Sequence, residues 1–146
     1  MMNEPILAQI KKIDPNLLGN YYGLDVWHRS VLLKKISELN LRDISTMLRQ
    51  DLYADIAIPI AWSILLRSPF EGEMWDGQLL KLVVEYLSKH KTAIRDIEIT
   101  EFLEKLGTGI EEHEWDNENG PSDYKQTVNR LIDLLDISVP DYDSKE

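Results

Sequence analysis

The sequence predicts an all-α fold, a single compact domain of about six to seven helices, on three observations. Apolar residues recur at helical intervals along almost the whole chain. The single β-like run, residues 56 to 60, is interrupted by Pro59, which removes a backbone donor. No Asn-Gly or comparable hairpin turn separates alternating segments.

The elements follow in chain order. The opening MMNEPILAQIKKIDPNLL reads as a loop; it lacks the order of basic region, apolar core and small-residue cleavage site that a secretory signal needs. VWHRSVLLKKISEL and LRDISTMLRQDL carry helical patterns, with Asn40 a candidate N-cap for the second. YADIAIPIAWSILLRSP continues into helical spacing after its β-like start, so a helix that begins or kinks near Pro59 is expected, with Trp62 in the core. GQLLKLVVEYLSKHK places Leu79, Leu80, Val83, Val84, Tyr86 and Leu87 over a wide arc, which predicts a central helix. ITEFLEKLG has a stripe of Ile99, Phe102, Leu103 and Leu106 and stops at Gly107. SDYKQTVNRLIDLLDI is amphipathic, with Tyr124, Val128, Leu131, Ile132 and Leu135 on one face and Ser122 as its candidate cap. Between the last two lies a predicted acidic loop, residues 107–122, and residues 138–146 are expected to fray.

Composition narrows function. The chain of 146 residues is 43% hydrophobic and 29% charged, which suits one folded domain spanning 1–146. It has no cysteine, which removes disulfides and thiolate chemistry. No run reaches the roughly 18–20 apolar residues that span a bilayer, so no membrane contact and a cytoplasmic location are expected. With 26 acidic and 16 basic side chains the net charge is −10. Such a field repels phosphate backbones and attracts a basic protein, so direct nucleic-acid binding is not expected.

The chemistry-bearing residues cluster in two stretches. In SPFEGEMWDGQLL, Glu71, Glu73 and Asp76 sit among two glycines, Phe70 and Trp75; in the second, Glu111, Glu112, Glu114, Asp116 and Glu118 surround Trp115. Paired carboxylates such as Glu71 with Asp76 or Glu112 with Asp116, and bases such as His28, His90 and His113, are the raw material of acid–base catalysis. Nothing corroborates it: there is no G-x-S-x-G elbow, phosphate-cradling loop or H-E-x-x-H helix, and the chain is read as no enzyme. DNENG at Asp116 begins like a calcium loop, but Pro121 stands where the turn glycine belongs and Thr127 where the bidentate glutamate belongs. No metal and no cofactor are expected. Trp75 and Trp115 are either lids folded back on the helices or interface anchors with a carboxylate rim; Tyr21, Tyr22 and Trp27 pose the same alternative.

One succession of motifs is familiar. Leu48-Arg49-Gln50, Pro59 within a helix, Ser68-Pro69-Phe70, and Trp75-Asp76-Gly77 leading into Leu79-Leu80 occur in that order. Over roughly residues 40 to 88 this resembles the immunity proteins of bacterial contact-dependent growth inhibition (CDI) systems. The resemblance implies an all-helical protein that binds, one-to-one, the toxic C-terminal domain of its own system's effector in the cytoplasm. Many such domains are nucleases and basic, so the acidic charge would occupy their electropositive groove and speed association. Motif residues shared across partners imply folding, with Arg49 pairing one of the carboxylates of the 68–77 turn. Recognition is therefore assigned first to Glu111, Glu112, Glu114, Trp115, Asp116 and Glu118, and then to Glu71, Glu73, Trp75 and Asp76. The alternative is an acidic helical adaptor that binds another basic protein.

Overall fold

The structure, a computed structural model, describes residues 4–15 and 23–138, without the side chains of 23–25 and 136–138. Tyr21, Tyr22 and residues 139–146 of the expected frayed tail lie outside it. Eight α-helices form among the described residues: α1 (Leu7–Lys11), α2 (Gly23–Leu32), α3 (Leu41–Gln50), α4 (Ala54–Arg67), α5 (Gln78–Lys89), α6 (Asp96–Leu106), α7 (Gly109–Glu112) and α8 (Gly120–Ser138). The fold class is all-α, as predicted; an isolated bridge between Ile6 and Lys35 is its sole extended pairing among these residues. The chain divides into two compact units, one up to Ile44 and one from Ser45 onward.

In the first unit α1 packs on α2, and Leu7 donates its N–H to the Lys34 carbonyl at 2.7 Å. The predicted helix through residue 39 ends earlier, at Leu32, because Lys35 is extended beside Ile6; a 3-10 turn follows at Ile36–Glu38. Asn40 caps α3 as its sequence position suggests. Its Oδ1 accepts the Asp43 N–H at 2.8 Å, and Asp43 Oδ2 accepts the Asn40 N–H at 3.2 Å. Asp43 is 4% exposed and also accepts from Trp27 Nε1 at 3.1 Å and Lys34 Nζ at 2.6 Å. Its buried charge is therefore paired, and Trp27 acts within this unit.

In the second unit α5 is central and packs on α4 and α8, while α6 packs on the same two helices. Leu79, Leu80, Val83, Val84 and Leu87 are all fully buried. Trp62 lies in the core as expected, its ring 5.7 Å from that of Phe102. Pro59 falls inside α4 and does not begin it: five residues from Ala54 to Ile58 precede it. It is exposed, so the Asp55 carbonyl that loses its helical donor is on the wet side. α8 also starts earlier than expected, at Gly120, with Pro121 in the first turn, where a missing N–H leaves no helical bond unmade. Ser122 is thus inside the helix and does not cap it. Part of the predicted 107–122 loop is helical too, as the single turn of α7.

Candidate functional site

Residues 68–77 connect α4 to α5, and their path is closed by local bonds. Glu71 N–H reaches the Ser68 carbonyl at 3.1 Å, Gly77 N–H the Phe70 carbonyl at 2.7 Å, and Leu79 N–H the Glu71 carbonyl at 3.0 Å. Gln78 Oε1 accepts the Met74 N–H at 2.7 Å, clamping the outer limb of the turn to the start of α5. Two glycines are obligatory: Gly77 has φ +89°, and a Cβ on Gly72 would lie 1.9 Å from the Trp75 carbonyl oxygen. Arg49, at the end of α3, approaches Glu73 at 3.7 Å, the pairing its position suggests.

The second acidic stretch lies directly on this turn. Phe70 is the meeting point, its ring centroid 4.2 Å from that of His113, 5.0 Å from that of Trp115 and 5.0 Å from that of Tyr124. His113 stacks on Phe70 and sets Nε2 at 2.8 Å from Asp76 Oδ2, joining the two loops. Trp115 donates from Nε1 to the Ile110 carbonyl at 3.0 Å, and its ring lies against Gly120, where a Cβ would come within 2.7 Å of it. Tyr124 donates its hydroxyl to the Pro69 carbonyl at 2.7 Å. Burial pushes that hydroxyl's pKa well above its ordinary 10.0, which keeps it a neutral donor.

The two acidic stretches are therefore one site. Glu71, Gly72, Asp76 and His113 share a surface depression. Asp76 is held by His113, Glu73 by Arg49, Glu111 by Lys125 at 3.3 Å, and Glu112 accepts from the Thr108 hydroxyl at 3.4 Å. Glu114, Asp116 and Glu118 are exposed. No three histidine or carboxylate groups converge as metal ligands among the described residues. Of the motif residues, Leu48, Leu79 and Leu80 are buried, Arg49, Gln50 and Pro59 are exposed, and Pro69, Phe70 and Gly77 build the turn.

Three contributors escaped the sequence reading. Tyr124 was legible only as part of an apolar helix face, and His113 only as a base or zinc ligand. Met74 gave no signal; it is 73% exposed at the crown of the turn.

Such a site, two acidic stretches joined on a helical scaffold, defines an all-α protein with an acidic surface. The family profile of the CDI immunity proteins matches residues 9–97, well over half of the chain, and the chain belongs to that family. The match reaches further toward the N-terminus than the residues that carry the resemblance, and it stops before α7 and the second acidic stretch. No curated protein and no solved structure matches the chain. None of the helices among the described residues is long and apolar enough to cross a membrane.

Proposed function

We propose that this chain neutralises the toxin domain of its own CDI effector by covering that domain's active or substrate-binding surface in a one-to-one complex. The toxin is a basic nuclease on this reading, and inhibition involves no catalysis, cofactor or direct contact with nucleic acid. It takes place in the cytoplasm. The observation that carries the reading is the joining of the two acidic loops of a CDI immunity protein into one face. One loop belongs to the stretch matched by the family, and the other lies beyond it. The first supplies Glu71, Glu73, Trp75 and Asp76 on the shared scaffold. The second supplies Glu111, Glu112, Glu114, Asp116 and Glu118, with Trp115 beneath them, and these distinguish one partner from another. A cluster of exposed carboxylates raises the encounter rate with a basic surface and rejects a wrong partner by like-charge contact.

The test is growth of cells expressing the C-terminal domain of the effector encoded immediately upstream, with and without this protein, together with titration calorimetry of the purified pair. Rescue and a nanomolar one-to-one complex are expected, with an association rate that falls as salt rises. Changing Glu111, Glu112, Glu114, Asp116 and Glu118 to lysine should weaken the complex by about 100-fold or more with helical circular dichroism unchanged. Unchanged affinity would remove the second loop from the interface. Neither rescue nor binding would leave the acidic adaptor as the better reading.

A further inference from the structure

The two loop tryptophans have different fates. Trp115, half-buried, is engaged within the chain: its N–H is bonded to Ile110, and its ring packs on Phe70, His113, Tyr124 and Gly120. Trp75 is 46% exposed, beside Met74 at 73%, so two large apolar side chains stand next to each other on one turn. That turn is held by the bonds from Gln78 to Met74, from Gly77 to Phe70 and from Leu79 to Glu71, so little backbone entropy remains to be lost on binding. Trp75 also borders two clefts. One, of about 320 Å³, is shared with Asp76, Lys81, Tyr124 and Arg130; the other, of about 170 Å³, with Arg49, Gln78 and Glu85.

We infer that Met74 and Trp75 form a preorganised apolar knob that enters a pocket on the basic toxin domain and is the principal anchor of the complex, with Trp115 serving as an internal strut. This rests on the function proposed above and names the contact that holds the complex after charge has brought it together. The occupant is a basic protein because the knob stands between Glu73 and Asp76 of the first acidic loop, on a chain of net charge −10. A second copy would bring like charges together around the knob, and an anionic lipid surface would be repelled in the same way. Bonds within the chain already engage Glu73, Asp76 and Glu111, which leaves burial of the knob to slow dissociation.

Calorimetry against the same toxin domain tests this. Trp75→Ala should weaken the complex by about 30-fold or more, and Met74→Ala by a smaller factor, with the melting temperature of the free protein unmoved. Trp115→Phe should lower that melting temperature and leave affinity within about threefold. The inference is overturned, with the function intact, if the wild-type protein binds and Trp75→Ala stays within about threefold, or if Trp115→Phe costs as much affinity as Trp75→Ala. A wild-type chain that does not bind overturns both. Sedimentation of the free protein should show a monomer; a dimer dissolved by Trp75→Ala would assign the knob to a second copy and overturn the inference.

Discussion

A single phenol ties α8 to the turn that precedes α5. Tyr124 donates to the Pro69 carbonyl at 2.7 Å, across 55 positions of sequence, and supports Phe70 and Trp115 with its ring. Tyr124→Phe keeps the ring and leaves the carbonyl without that donor, so an equilibrium unfolding curve should show a loss of about 1–2 kcal/mol. The pH dependence has a definite sign. Because the folded pKa is raised above 10.0, stability from this group is complete below that value. Above it the unfolded chain ionises first, and stability falls as pH rises. Tyr53 and Tyr86 are shifted the same way by burial, so Tyr124→Phe should flatten the alkaline decline without abolishing it. The Arg49–Glu73 pair is of another kind: at 3.7 Å and partly exposed, it falls in the range of about 0–1 kcal/mol and orients the turn more than it stabilises the fold.

At the scale of elements, the turn before α5 and the entry to α8 show how local chemistry sets boundaries. Pro121 suits the first turn of α8 because the N–H it lacks has no helical acceptor there, so the helix takes it in and leaves Ser122 inside. Pro59 survives in the second turn of α4 because its side is wet. Gly77 has no such latitude. A Cβ there would meet the Tyr124 ring at 2.7 Å and occupy φ +89°. Gly77→Ala should therefore cost about 1–3 kcal/mol from the backbone alone, read as a lower denaturant midpoint. Gly107, also at positive φ, differs in having open space around it: the nearest neighbour of a Cβ there would be 3.9 Å away, so the cost of Gly107→Ala is backbone strain alone. If Gly77→Ala leaves the midpoint unmoved, neither the positive φ nor the contact with Tyr124 constrains the turn.

At the scale of the molecule, α3 runs from Leu41 to Gln50 without interruption and so crosses the boundary between the two compact units. We propose that the chain behaves as one domain. Calorimetry should show a single transition with equal calorimetric and van't Hoff enthalpies; two resolved transitions would make the units independent. The all-α class, the central place of α5, the cap at Asn40, the core position of Trp62 and the CDI immunity family were all readable along the chain. Each depends on local periodicity, on a side chain bonding within three residues of itself, or on motif order. The joining of the two acidic stretches was not readable, because Phe70 and His113, and Tyr124 and Pro69, meet only through the packing of α5, α7 and α8. For the same reason Trp75 and Trp115 were equivalent as sequence, each an aromatic among carboxylates. Tertiary structure packed one, half-buried, against a glycine and a carbonyl and left the other exposed on a clamped turn, since burial depends on what else the chain brings to the same place.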